Sequence, residues 1–398
     1  MEKVFEQSTE ALTNLGAEIT TREIKQQPDL WQEAFDNYET RQAVITDFLA
    51  KVTHQAAGQK VRVVFTGAGS SQYVGDTVTP YLQAHGDRDR FDFESVGSTD
   101  IVSDPAEFLK ADTPTLLVSF ARSGNSPESL KTVSLAEQII TNLHQISITC
   151  APEGKLALNS ANTSGTLLLL QPGRSNDKGF AMTGSFTCML LTALLVFDTS
   201  SIESKRAWVG EMASMGKEVI EREQEVQSIV NQDFERIVYL GTGALGRLAR
   251  EAQLKVLELT AGRFSTMFDT SMGFRHGPKS FVNDKTLVFD FVSNDSYSRR
   301  YDIDLLEEVK NDKIAPTIMA IGARQTNNFS GSEFNFGESI SALPDAYQAL
   351  PDIMFAQTLA LLASVKVGNR PDTPSPTGTV NRVVKGVTLH DYPDTKEI

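Results

Sequence analysis

Twice in this chain a short run of β-branched and apolar residues breaks off into a glycine turn and then into a helical pattern. The first is VRVVFTGAGSS at 61–71 and the second is ERIVYLGTGALG at 235–246. A strand apolar along its whole length needs cover on both faces. One that leads through a tight turn into a helix begins a parallel β-turn-α step. Further strands are expected after the first step at FDFESVGS (91–98), within TPTLLVSFARSGNSPES (113–129), at HQISITC (144–150) and at GTLLLLQPG (165–173), with a helix from about Pro127 to Asn142. After the second step they are expected at GRFSTMFD (262–269), KTLVFDFVSND (285–295), APTIMAIGA (315–323) and FNFGES (334–339). The expected fold class is α/β: two tandem three-layer α/β/α units, each with a mainly parallel sheet.

The remaining segments fit around that plan. Residues 1 to about 55 read as helices, with Pro28 at a helix start and Trp31, Phe35, Ile45 and Phe48 as a packing stripe. TGSFTCMLLTALLVFDTS (183–200) reads as a buried helix, and a charged helix over about 204–231 leads to the second unit. The tail from 369 is rich in proline and threonine and reads as an extended loop. The expected organisation is an N-terminal helical segment (1–45), a first unit that binds phosphosugar (46–203), a second unit with the catalytic groups (204–368), and a tail (369–398) that closes the site.

Composition narrows the function. Hydrophobic residues make up 40% and charged residues 22%, ordinary values for a chain of 398 residues with a sizeable core. A formal charge of −14 argues against a nucleic-acid partner but not against one small anion held by backbone N–H groups. Cys150 and Cys188 form no framework or C-x-x-C pair, and the polar N-terminus lacks the features of a signal peptide. No run is read as approaching the roughly 20 apolar residues of a membrane span. A cytoplasmic protein without membrane contact is expected. The five histidines show no metal-ligand spacing, so neither metal nor cofactor is expected.

Four motifs carry chemistry. The glycine turns, with Gly69, Ser70 and Ser71 in the first, expose N–H groups at a helix start and suit an anion, although glycine alone explains a tight turn. GTGALG also fits a dinucleotide fingerprint, with Asp269 as a loose acidic partner. ARSGNSPES sets Arg122, Ser123, Gly124, Asn125 and Ser126 between a strand and a helix, where hydroxyls and N–H groups can saturate a phosphate. Ser126 ahead of Pro127 is at the same time a good helix cap. In REAQLKVLELTAG, Glu251, Lys255 and Glu258 share a helix face. On an exposed helix that is a solvated stripe, but Val256, Leu257 and Leu259 among them point to burial and shifted carboxylates. His276, in GFRHGPKS, stands in a glycine-proline turn suited either to proton transfer or to a structural role.

In this order these segments resemble the SIS (sugar isomerase) family: GAGSS, ARSGNSPES, the E-x3-K-x2-E helix, His276-Gly277-Pro278, and NRVVKG near the C-terminus. The chain is similar to the isomerase half of glucosamine-6-phosphate synthase, and more so to the stand-alone galactosamine-6-phosphate deaminase/isomerases, also called tagatose-6-phosphate ketose/aldose isomerases. The resemblance implies that Ser70, Ser71, Ser123 and Ser126 hold a sugar phosphate, with Gly69, Arg122, Gly124 and Asn125 in the same turns. It implies Glu258 as the base between C2 and C1, and His276 as the ring-opening group, donated by a neighbouring subunit of a homodimer or homotetramer. Lys255 and Lys385 would meet substrate oxygens, and Glu251 and Ala181 would support. Arg122 replaces a glutamine of the synthase, Gly273 replaces a glutamate, and the second unit carries SNDSYSRRYD (293–302) where a serine turn would stand. The implied activity is deaminating isomerisation of galactosamine 6-phosphate. Plain aldose–ketose isomerisation, sugar-phosphate sensing and, through GTGALG, nicotinamide chemistry are the rivals.

Overall fold

Each glycine turn follows the first strand of its own five-stranded parallel sheet, one place in from the sheet edge. The computed structural model describes residues 3–337, 343–384 and 386–393. The first sheet holds β1 (Val61–Thr66), β2 (Phe91–Ser95), β3 (Thr115–Ala121), β4 (Leu143–Thr149) and β5 (Thr166–Leu170), in the order β2-β1-β3-β4-β5. The second holds β6 (Arg236–Gly241), β7 (Ser265–Phe268), β8 (Thr286–Phe291), β9 (Thr317–Ala323) and β10 (Ser332–Phe336), in the order β10-β9-β8-β6-β7. Counted along the chain, both sheets run second, first, third, fourth, fifth, and every pairing is parallel. The expected α/β plan, twice over, is what the structure has.

Burial explains the strand sequences. β1, β3 and β8 are buried along their whole length, as helix cover on both faces requires, whereas edge strand β7 is half exposed. The compact unit around the first sheet comprises Glu33–Asn176, Gly184–Ser201 and the described residues from Val380 on. The unit around the second comprises the described residues up to Gln32, Asp177–Thr183 and Ile202–Thr379.

In the first unit Phe65 sits among Phe93, Phe120 and Phe197, with ring centroids 6.1, 5.8 and 5.5 Å away. The helix Gly184–Phe197 is buried throughout, as expected. In the second unit a longer apolar helix, Asp345–Lys366, is almost wholly buried and packs on the helix Ala244–Leu259. By length and composition alone it could span a membrane, contrary to the expectation that no run approaches that length, although Asp352 and two glutamines interrupt its apolar run.

Three further expectations change. The charged helix breaks at Arg222 into Ile202–Glu221 and Glu223–Val230. Leu257 is exposed, although Val256 and Leu259 are buried. SNDSYSRRYD is only partly a loop: the helix Ser298–Asp312 begins inside it, after Asp295 accepts the N–H groups of Tyr297 (3.1 Å) and Ser298 (2.9 Å).

Phe65→Ala should cost about 3–5 kcal/mol of stability, since nothing nearby can collapse into the space of a ring held by three others. Urea unfolding of the variant checks this.

Candidate functional site

The first unit places its polar residues where its strand order reverses. β1 continues to β2 on one side and lies beside β3 on the other, and Thr66 of β1 pairs in register with Ser119 of β3. The turns that follow β1 and β3 therefore flank one crevice, the usual ligand position in such sheets. In the first turn Gly69 has φ +56°, a conformation that L side chains avoid. A Cβ on Gly67 would stand 2.6 Å from the Ser71 backbone carbon. Glycine at both positions lets the helix Ser70–His85 begin at once, with Ser70 and Ser71 buried in its first turn.

The turn after β3 is built by capping. Ser126 Oγ accepts the Ser129 N–H at 3.3 Å and donates to Ser129 Oγ at 2.7 Å, starting the helix Pro127–Ile139. Gly124 has φ +65°. Asn125 is exposed, and its Oδ1 accepts the Lys155 N–H at 3.0 Å, so it secures the start of the helix Lys155–Asn162. Ser123 is half-buried. Arg122 is buried and donates to the Arg382 carbonyl at 2.9 Å, which ties the tail to this turn; Arg382 in turn reaches Asn176 Oδ1 at 3.0 Å. Lys385 lies outside the described residues.

The second unit carries the charged helix, Ala244–Leu259. Lys255 Nζ stands 3.0 Å from Glu251 Oε1 and 2.8 Å from Glu258 Oε2, so the spacing i, i+4, i+7 closes into one ion triad. Side-chain exposure grades along it: 0% at Glu251, 1% at Lys255 and 22% at Glu258. His276 is exposed, at the end of the short helix Gly273–Arg275. Its loop is fastened by buried Phe274 and by Glu308, which accepts from Arg275 Nε (2.6 Å) and Lys279 Nζ (2.5 Å). Ala181 is buried in the segment Asp177–Thr183. That segment is held by Asp177, which accepts from Thr183 N and Oγ1 at 2.8 Å, and by Glu23, which accepts the Lys178 N–H at 2.6 Å. Burial and the Asp177 charge push Glu23 up to about 7.

Over 382 residues the chain is 39% identical to D-galactosamine-6-phosphate deaminase AgaS of Escherichia coli, covering 94% of this chain and 96% of that protein. The chain belongs to the AgaS family. No family model matches it. Among solved structures, that of a Clostridium novyi homologue overlays with a TM-score of 0.90 at 41% identity, covering 98% of this chain and all of that one. The tagatose-6-phosphate ketose/aldose isomerase of Escherichia coli overlays at 0.84 with 37% identity, over 94% of this chain and 96% of that one. Structures named phosphosugar isomerases share the fold at lower identity, for example at a TM-score of 0.63 and 18% identity, and one five-strand parallel arrangement occurs twice in the chain.

The structure adds residues that sequence reasoning missed. Thr66 Oγ1 and Ser98 Oγ are buried without a hydrogen-bond partner among the described residues. Ser98 is drawn against the glycine turn by its N–H on the Gly67 carbonyl at 2.7 Å. Orphaned buried hydroxyls are rare unless a ligand or water completes them. The available signal was VGSTD, a glycine-serine helix start directly after β2.

Burial pulls the Lys255 ammonium down, but Glu251 and Glu258 more than offset it, and the group ends above its ordinary value. Because Glu251 is wholly enclosed, Lys255→Met should cost about 3–5 kcal/mol by leaving a buried carboxylate uncompensated. Adding Glu251→Gln should recover part of that loss, measured by denaturant unfolding of both variants.

Proposed function

We propose that this chain is a cytoplasmic deaminating isomerase, which converts galactosamine 6-phosphate and water into tagatose 6-phosphate and ammonia. The observation that carries the reading is the graded ion triad of an AgaS-family chain. One lysine, buried between two carboxylates, fixes Glu258 at the partly exposed end, where a base must stand to reach a substrate. The family's named member in Escherichia coli is a D-galactosamine-6-phosphate deaminase at 39% identity.

The roles follow from the chemistry. The N–H groups at the start of the helix Ser70–His85 and the hydroxyls of Ser70, Ser71, Ser123 and Ser126 hold the phosphate, with Arg122 supplying charge. His276 assists ring opening, which frees the C1 aldehyde. Glu258 takes the C2 proton and delivers it to C1. The C2–N bond becomes an imine, water adds to it, and ammonia leaves as the C2 ketone forms. Lys255 steadies the charge that develops on the oxygen at C1, and Lys385 contributes from the tail. His276 acts across the contact of a homodimer or homotetramer.

Ammonia release from galactosamine 6-phosphate tests this, with glucosamine 6-phosphate and tagatose 6-phosphate alongside. Ammonia from the galacto substrate is the expected result. Interconversion of neutral ketose and aldose phosphates without ammonia would instead favour plain isomerisation, the activity in the name of the second Escherichia coli relative. Glu258→Gln should lower kcat by about 10²–10⁴-fold, while Ser126→Ala should chiefly raise KM. Near wild-type turnover in Glu258→Gln would remove the assigned base.

A further inference from the structure

The second sheet has the same strand reversal as the first, and its turns can be matched residue by residue. Gly67 and Gly69 correspond to Gly241 and Gly243, and the last of each pair has nearly the same backbone: φ 56°, ψ −129° at Gly69 and φ 59°, ψ −123° at Gly243. The Gly67 carbonyl accepts the Ser98 N–H at 2.7 Å, and the Gly241 carbonyl accepts the Ser271 N–H at 3.0 Å. Thr66 pairs with Ser119, and Leu240 pairs with Asp290. Ala68, Ser98 and Arg122 thus find their counterparts in Thr242, Ser271 and Ser293.

Those three counterparts converge on one carboxylate. Asp302, fully buried, accepts from Thr242 Oγ1 at 2.5 Å, from Ser271 Oγ at 2.7 Å and from the Ser293 N–H at 3.0 Å. The donors come from the turns after β6, β7 and β8, which are the three turns around the reversal. In the first unit the matching hydroxyl, Ser98 Oγ, has no partner among the described residues. Ser271 Oγ also lies 3.0 Å from Asp290 Oδ2, and one hydroxyl proton cannot serve two acceptors. Asp290 is fully buried and pushed well up by burial and by the Asp302 charge. Ser271 Oγ lies nearer Asp302, at 2.7 Å against 3.0 Å, and although burial raises Asp302 above its ordinary value, the donors from Thr242, Ser271 and Ser293 work against that rise.

We infer that Asp302 is a built-in anion occupying the second unit's cradle, in the place that an external phosphate takes in the first. The consequence is a crevice closed to phosphate, and a fixed start for the loop that leads from Ser271 to His276. The helix that supplies Asp302 also supplies Glu308, so the loop is gripped at both ends by one element. This assignment does not depend on which sugar the enzyme turns over, because its test reads phosphate binding.

Asp302→Ala removes the internal anion and leaves its donors. Titrated calorimetrically with inorganic phosphate in chloride buffer, the full-length variant should bind one more phosphate per chain than the unaltered protein. It should melt several degrees lower in chloride and regain that loss in millimolar phosphate. Asp302→Asn, which fills the space without the charge, should gain no phosphate. A folded Asp302→Ala with no additional phosphate, or an equal gain in Asp302→Asn, would overturn the inference. If Asp302→Ala does not fold in chloride, its refolding yield decides: recovery in phosphate supports the built-in anion, and equal failure in both salts overturns it.

Discussion

The polar turns of the first unit, and their counterparts in the second, hang on a steric constraint at the end of the first strand of each sheet. The chain must leave the sheet and enter a helix within three residues, through a positive φ at Gly69 and again at Gly243. A side chain at either position is strained, and one at Gly67 collides with the backbone it turns beside. Once that turn is made, a helix N-terminus points out of the sheet beside the turn after the third strand. The turns after the first and third strands then flank the same crevice. Such a crevice favours an anion before any side chain is chosen, so a net charge of −14 is compatible with the proposed phosphate site.

Side chains then set what each crevice does. In the first unit they are small hydroxyls, with Arg122 buried behind and tied to the tail through the Arg382 carbonyl. In the second, Asp302 accepts from the matching turns, and the neighbouring helix carries the ion triad. There a lysine enclosed between two carboxylates makes a rigid electrostatic unit. Desolvation alone would drive Lys255 toward neutrality, and the paired carboxylates prevent it. Glu251 has no solvent to fall back on, so it holds the lysine in place, and the lysine holds Glu258 at the boundary with solvent.

Much of this was legible in the sequence, for identifiable reasons. Strands β1, β3 and β8 announce themselves as mostly apolar runs, because cover on both faces leaves little polar alternation, whereas β2, β7 and β10 carry polar residues and are partly exposed. The i, i+4, i+7 charges of the helix Ala244–Leu259 predicted a shared face, and the ion triad is that face. What escaped depends on partners distant along the chain. Ser98 gains meaning only beside Gly67, 31 positions earlier. Asn125 looks like a ligand in the sequence but spends its oxygen on the Lys155 N–H. Asp302 sits in a run that reads as a polar loop, because an aspartate buried by hydroxyls from three turns has no local signature.

The double grip on the histidine loop bears on when its ordering entropy is lost. A loop that closes around an arriving molecule gives up its conformational freedom in every catalytic cycle, and binding is weakened accordingly. Here the segment from Ser271 to Lys279 is fastened by side chains of its own unit, at one end through Asp302 and at the other through Glu308 and Asp312. That freedom is surrendered once, when the chain folds. If His276 opens the sugar ring as proposed, each turnover begins from the same backbone, and the binding energy of the sugar is left for distorting and opening that ring.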